Sequence, residues 1–480
     1  MLPKKRPNFL LIMCDQMRGD CIGAAGHPDV KTPYLDTLAA EGTLFKRAYS
    51  ACPSCIPARA ALLTGMSQRR HGRVGYKDGI PWNYPNMLPD VLSKNGWHTE
   101  AIGKMHVHPP LARCGFNGLS LHDGFVEYYR DPNKPWREHQ LAHDSYIHYL
   151  KSRCGVDADI TDTGIECNSW LTRPWIYDEM SHPTNWAVTK GLEFLNSRDR
   201  SVPFFLKVSF VRPHPPWDSP ACYFDMYRGK QLRPPAMGDW AQQRDSRIIN
   251  SYFGSSDNEM REQGMAGYYA SITHMDNQIG RLLKGLELDG ILEDTVIIFT
   301  SDHGEMLFDH GLFRKVNPYQ GSVHIPFIVR YGKNISAGRK QKAASSCVAE
   351  LRDIAPTMLD CAGITLPETM DGASLVPQLF KEEKFREYLH GEHSGGEFSN
   401  HYIVTEKDKY IWFSQSGREQ YFDLENDPRE EHDAIQSANQ SRINELRAAL
   451  IQELSGREEG YTNGSQLITG RTPLAILQQF

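Results

Sequence analysis

The sequence predicts an α/β protein: a large, mostly parallel central sheet flanked by helices, followed by a small C-terminal α+β domain with an antiparallel sheet. Three observations predict it. Short apolar runs bounded by turn residues recur at 8–13 (NFLLIM), 204–210, 295–300 (TVIIFT) and 325–330 (IPFIVR), the pattern of strands buried on both faces. Segments of helical periodicity separate these runs. After about residue 380 the character changes to closely spaced, polar-edged short strands. Residues 1–380 are therefore expected to form the large α/β domain, and residues 381–480 the smaller one.

Along the chain, NFLLIM opens the sheet, and 32–42 (TPYLDTLAAEG) follows as a helix stopped by Gly42. Residues 43–49 read as a strand, 88–95 as a helix, and 98–102 as a strand ending in Gly103. The helix 184–196 leads into the strand 204–210, and the long helix 268–288 into the strand 295–300. Residues 348–362 read as helical. In the C-terminal part, 401–405, 409–414 and 420–423 read as short strands and 440–453 as a helix. The Pro-, Asp- and Arg-rich stretch 218–257 reads as a long surface excursion.

Composition narrows the function classes. A hydrophobic content of 40% with 23% charged residues fits a soluble globular chain, and a net charge of −6 argues against a nucleic-acid partner. The apolar run Phe9–Met13 is too short for a signal core or a spanning helix, and no window of 18 apolar residues exists. The chain as given is expected to be cytoplasmic and to have no membrane partner; a leader removed beforehand would make it periplasmic or secreted. Ten cysteines without a repeating spacing read mostly as buried thiols.

In open α/β sheets, ligands bind beyond the carboxyl ends of the strands. The residues found there are Asp15-Gln16, Lys104 and His106, His214, and Asp302-His303. Each strand end thus carries a metal-type or acid–base side chain. Asp15, Gln16 and Asp302 offer oxygen donors and His303 an imidazole, a set suited to a hard divalent cation. The stretch 52–59 (CPSCIPAR) allows several readings: a redox pair, half a zinc site, packed thiols, or a reactive cysteine. No second Cys-x-x-Cys and no thioredoxin-like context accompany it. Pro57 suits the first turn of a helix, so Cys55 falls at a helix N-terminus, where anions are favoured, with Arg59 one turn on.

The stretch CIPAR…LLTG resembles the signature of the formylglycine-dependent sulfatases, of the alkaline-phosphatase-like superfamily. PNFLLIMCDQ, IGKMH, RPHPPW, TSDHGE, HGLFRK, VHIPFIVR and YFDLENDPRE agree with that family in order, so the resemblance spans nearly the whole chain. It implies oxidation of Cys55 to formylglycine by a formylglycine-generating or anaerobic sulfatase-maturating enzyme. It implies a divalent metal, Ca²⁺ by family default with Mn²⁺ or Mg²⁺ as alternatives, held by Asp15, Gln16, Asp302, His303 and the modified Cys55. Arg59 and Lys104 would stabilise developing charge, His106 would act as base, and His214 and Lys315 would bind sulfate oxygens and protonate the leaving oxygen. His71 and His310 would line the pocket. The implied reaction is hydrolysis of a sulfate monoester, of a sulfated carbohydrate first and an aryl or choline-type sulfate second, with Trp82, Tyr84 and Trp217 as candidates to stack on a sugar ring.

Many sulfatases have paired aspartates at the first metal position and Asp-Asn at the second, where this chain has Asp15-Gln16 and Asp302-His303. Relatives that cleave phosphonate monoesters and phosphodiesters share these variants, which makes such a hydrolase the alternative. The Gly-Lys-x-His pattern at 103–106 favours a sulfate ester. A catalytically silent binding protein on the same fold is the second alternative.

Overall fold

In the computed structural model, residues 6–126, 130, 133, 135–242, 248, 251–336, 338–381 and 385–478 are described. The large sheet is built from β1 (Asn8–Asp15), β2 (Thr43–Tyr49), β3 (His98–Gly103), β4 (Gly118–Leu121), β5 (Phe204–Pro213), β6 (Thr295–Ser301), β7 (Phe327–Tyr331) and β8 (Ala344–Glu350). Their spatial order is β4-β3-β5-β1-β6-β7-β2-β8. All neighbours run parallel except β7, which is antiparallel to both β6 and β2.

The period of two along β1 explains why it reads as one continuous apolar run. Leu10 and Ile12 enter the core beneath the helices Pro183–Ser197 and Asn258–Leu288. Phe9, Leu11 and Met13 enter the opposite core, beneath Cys55–Thr64, Leu88–Lys94 and Ile354–Ala362. Both faces are dry, so positions 9–13 of the strand must be apolar.

A second sheet contains β9 (Leu389–His393), β10 (Asn400–Val404), β11 (Asp408–Phe413) and β12 (Glu419–Asp423), all antiparallel and in sequential order. The helix Gln440–Leu454 lays Ile443, Leu446, Leu450 and Leu454 against Ile403, Tyr410 and Trp412. Another apolar cluster joins the two sheets, with Tyr49, Met306 and Val348 on one side and Leu389, Tyr402 and Phe422 on the other. The second sheet also grips the chain that follows Lys315. Asn400 Nδ2 donates to the Val316 carbonyl, Lys409 Nζ to that of Pro318, and the Tyr319 hydroxyl to Gln420 Oε1.

Several expectations change. Residues 348–362 are not one helix: β8 runs to Glu350, a capping box of Glu350 and Asp353 turns the chain, and the helix begins at Ile354. The long helix starts at Asn258, ten residues early, because Asp257 caps it through Met260 N–H at 3.0 Å. The stretch 218–257 is no simple surface excursion, since Phe224, Tyr227 and Ala236 are buried; its residues 243–247, 249 and 250 lie outside the described residues. Trp82, Tyr84 and Trp217 are buried in the two main cores, so they pack the fold and have no face free for a sugar. All ten cysteines are free thiols. Among the described residues, no helix is long and apolar enough to cross a membrane.

Candidate active site

The order β3-β5-β1-β6 sets four neighbouring parallel strand ends side by side. In register, Gly103 pairs with Ser209, Asp15 with Pro213, and Cys14 with Ser301. Lys104 and His106, His214, Asp15-Gln16 and Asp302-His303 therefore emerge along one edge. The helix Cys55–Thr64 approaches that edge with its N-terminus, and Cys55 is its first residue.

Cys55 Sγ lies 3.3 Å from His303 Nε2, 3.8 Å from Asp15 Oδ1 and 3.5 Å from Lys315 Nζ. Arg59, one turn along, reaches beneath it. Its Nε donates to Asp302 Oδ2 at 3.0 Å, its second terminal nitrogen lies 2.9 Å from the same oxygen and 3.5 Å from Asp15, and Nη1 donates to the Lys104 carbonyl and Ser209 Oγ. Lys104 Nζ pairs with Asp15 Oδ2 at 2.5 Å. Burial would push the Asp15 carboxyl up, yet Lys104, His214, Lys315 and Arg59 together hold it well below the usual range. Burial and Asp15 likewise push the Cys55 thiol up, and Lys315, Lys104 and His303 outweigh them, so the thiol ionises more readily than an ordinary cysteine.

His106 takes a positive φ of 55°, and its backbone and that of Met105 donate to Asp123 Oδ1 at 2.9 and 2.7 Å. Neither of its ring nitrogens has a hydrogen-bond partner, although the ring is buried. Burial, then Lys104 and Arg130, hold it well below the usual imidazole value, so it is neutral. Burial and then Lys315 do the same for His214, whose Nδ1 lies 2.8 Å from the Pro215 carbonyl. A carbonyl only accepts, so Nδ1 carries the proton and Nε2 is the atom left to exchange one.

Four donor groups, from Asp15, Cys55, Asp302 and His303, lie within 4.8 Å of one another and are buried. Two tautomer and orientation details fit a cation there. His303 Nδ1 sits 3.0 Å from the Gly304 carbonyl and so carries a proton, which makes Nε2 the nitrogen turned to the centre. The Gln16 amide gives its NH₂ to Glu305, leaving as its oxygen donor Oε1, which accepts from Lys315 Nζ at 2.8 Å beside Cys55. Two carboxylates, an amide oxygen and an imidazole suit a hard divalent ion.

Above this floor is a cavity of about 350 Å³ lined by Cys55, Lys104, His106, His214 and Lys315, with Tyr76, Phe125, Tyr252 and Arg314 among its other walls. The Arg314 guanidinium lies 5.3 Å over the Tyr252 ring. Sequence reasoning missed these walls, and also Asp123 and Glu305. Glu305 alone had a signal, as the last residue of the TSDHGE motif.

Two expected pocket residues are elsewhere. His71 is buried beside Arg73 and Tyr84, with Nδ1 accepting from Arg73 N–H at 3.1 Å. His310 accepts from Gly238 N–H at 3.1 Å and packs on Trp240 at 4.6 Å between ring centroids. Both rings are committed to the packing of neighbouring loops, so neither lines the cavity.

The buried histidines outside the site instead set acid sensitivity. Burial, the largest cause in each, depresses His71 to about 3 and His27, His324 and His390 to about 4. The unfolded chain then takes up protons first, so stability is full above about pH 6.5 and is lost as pH falls towards 4, by roughly 2 kcal/mol per histidine at pH 5. Thermal unfolding is expected to show a falling Tm over that window. His71→Gln and His324→Gln should each flatten the slope; parental slopes in both would refute this origin.

The Sulfatase family profile matches residues 7–364, and the profile described as N-sulphoglucosamine sulphohydrolase, C-terminal, matches residues 308–459. An arylsulfatase of Clostridium perfringens is 50% identical over 472 residues, covering 97% of this chain and 98% of that protein. The chain belongs to the sulfatase family. Like that arylsulfatase, this sulfatase is a sulfuric ester hydrolase. The multifunctional alkaline phosphatase superfamily protein PehA of Trinickia caryophylli is 29% identical, covering 88% of this sulfatase and 90% of PehA. The crystal structure of the phosphonate monoester hydrolase of Agrobacterium radiobacter superposes with a TM-score of 0.76 at 27% identity, covering 94% of this chain and 95% of the other. The fold is therefore alkaline-phosphatase-like. Sulfatases generally use formylglycine and a divalent metal, and the buried Asp15, Cys55, Asp302 and His303 group could bind such an ion.

Proposed function

We propose that this sulfatase, with Cys55 oxidised to formylglycine and Ca²⁺ held by Asp15, Gln16, Asp302 and His303, hydrolyses the sulfate monoester of a single-ring alcohol, an aryl alcohol or a sugar. The observation that carries this reading is the convergence on Cys55, whose Sγ lies within 3.3 to 3.8 Å of His303, Lys315 and Asp15 at the floor of the cavity. A volume of about 350 Å³ walled by Tyr76, Phe125 and Tyr252 suits one ring and its sulfate.

The metal, when bound, would withdraw charge from a sulfate oxygen and acidify the hydrated aldehyde. The aldehyde hydrate would supply one hydroxyl for attack on sulfur and a second whose deprotonation lets sulfate depart. The chain's own groups do the rest. Lys104 and Lys315 bring ammonium groups to the floor, where negative charge gathers on the sulfate oxygens. Lys315 donates a proton to the leaving oxygen, with His214 Nε2 as its partner on that side. His106, neutral and without a hydrogen bond to its ring, takes the proton from the second hydroxyl. Since Cys55 is only 3% exposed, its oxidation by a formylglycine-generating or anaerobic sulfatase-maturating enzyme belongs before folding.

Mass spectrometry of the tryptic peptide carrying Cys55, from the native host, should show a loss of roughly 18 Da, fixed by replacing thiol with aldehyde in the covalent nucleophile. An intact thiol in active protein would overturn the reading. The likeness to the Agrobacterium hydrolase motivates a second reading, phosphonate monoester hydrolysis. Rates on 4-nitrophenyl sulfate and on a 4-nitrophenyl phosphonate, each with Ca²⁺ and Mn²⁺, separate the two. The sulfate is expected to react faster, and a faster phosphonate would favour the second reading.

A further inference from the structure

The Glu305 side chain is fully buried and touches neither the cavity nor Cys55, yet both its oxygens are committed. Oε2 accepts from the Gln16 side-chain NH₂. Oε1 accepts from the backbone N–H groups of Leu307 at 2.9 Å and Arg314 at 2.5 Å. Met306 N–H donates to the Arg314 carbonyl at 2.7 Å, so the loop 305–314 closes on itself around this carboxylate. The next residue is Lys315, whose Nζ returns to Gln16 Oε1 at 2.8 Å. Gln16, Glu305, Arg314 and Lys315 thus form one closed hydrogen-bonded ring.

We infer that Glu305 is a positioning residue that orients the Gln16 amide, oxygen towards the metal centre, and in the same ring fixes the base of Lys315. An amide turns by exchanging two groups of nearly equal size, so packing alone does not choose between its orientations. The neighbours do. Glu305 Oε1 is already taken by two backbone N–H donors and Oε2 accepts from the amide NH₂, which leaves the Gln16 oxygen on the opposite side. With the amide reversed, its NH₂ would meet a cation while its oxygen met a carboxylate, two repulsive contacts in a dry site. The same carboxylate holds Arg314 N–H, so Gln16, just past the end of β1, and the lysine at the end of the loop take their positions from one group. Partners behind a metal ligand generally change affinity by about 10- to 100-fold when removed.

The inference rests on Gln16 being a metal ligand, as proposed above, and the test separates the two claims. Chelator-treated protein is titrated calorimetrically with Ca²⁺ and, separately, with Mn²⁺. If the parent binds neither ion, the metal reading fails. If the parent binds, Glu305→Gln is expected to lose about 10- to 100-fold in affinity, because its new NH₂ faces that of Gln16. Its Tm in chelator should stay near the parent's, since the amide oxygen still serves Leu307 and Arg314. The exchanged pair Gln16→Glu with Glu305→Gln restores one donor facing one acceptor, and an oxygen facing the ion, so affinity should return. A loss of packing alone would not be repaired by the exchange. Parental affinity in E305Q overturns the inference. Should E305Q not fold, the exchanged pair decides: a folded double variant with parental affinity supports it, and one that fails to fold or to bind overturns it.

Discussion

Replacing Cys55 by alanine is expected to remove sulfatase activity by on the order of 10⁵-fold or more in kcat, as when a covalent nucleophile is deleted elsewhere. Nothing else at the cavity floor can take its place. Lys104 is bound to Asp15, Lys315 to Gln16, and His303 Nε2 faces the carboxylates. The fold should survive. Cys55 sits at the first position of its helix, and Pro57 and the buried Ile56, Ala60 and Leu63 keep the helix in place without the sulfur. Steady-state kinetics on 4-nitrophenyl sulfate, with circular dichroism as the control, check both halves. Residual activity within about 100-fold of the parent would move the nucleophile elsewhere.

Arg59→Leu should be the most destabilising single change in the site when no cation is present. Asp15 and Asp302 are fully buried, and the Arg59 guanidinium pairs with both, at 3.5 and 2.9 Å, as does His303 Nε2 at 3.5 and 3.6 Å. Lys104 compensates Asp15, but Asp302 would be left with the His303 ring at 3.6 Å and the backbone N–H groups of Gln16 and His303. Leaving a buried carboxylate without its partner costs about 3–5 kcal/mol. A divalent ion bound only by the folded state would supply the missing charge and recover part of that loss, by about 2.7 kcal/mol at a hundredfold excess over its dissociation constant. Denaturant unfolding with chelator and with added Ca²⁺ reads this directly. A larger Ca²⁺-dependent gain in the variant than in the parent is the expected result; equal gains would show that guanidinium and cation do not share the carboxylates.

The strand-end rule worked because β1, β5 and β6 are dry on both faces. Continuous apolar runs such as NFLLIM and TVIIFT mark where each strand stops, and the next residues then stand out. β8 and β9 lacked that signature. β8 begins Ala-Ser-Ser-Cys on the sheet edge, and β9 is LHGEH, whose Gly391 leaves room for the Tyr402 ring crossing it. Residues with one intrinsic role, Asp15, Cys55, Asp302 and His303, were legible from type and position. Those whose role depends on tertiary neighbours were not. Asp123 acts through the backbone of Met105 and His106 and Glu305 through the Gln16 side chain, all from other segments of the chain, and Tyr76 and Tyr252 reach the cavity from irregular loops. His71 and His310 misled because a histidine beside a motif looks like part of it, although their rings face other loops.

The grip of the second sheet on residues 316–320 makes the C-terminal part an inseparable inheritance. Asn400, Lys409 and Gln420 hold the strap that follows Lys315 through two carbonyls and one hydroxyl. A chimera that grafted another relative's C-terminal half onto this catalytic sheet would keep every group at the strand ends and still set its lysine down in the wrong place. Exchanges that keep activity are therefore expected to stay within one half, or to carry the strap and the second sheet together.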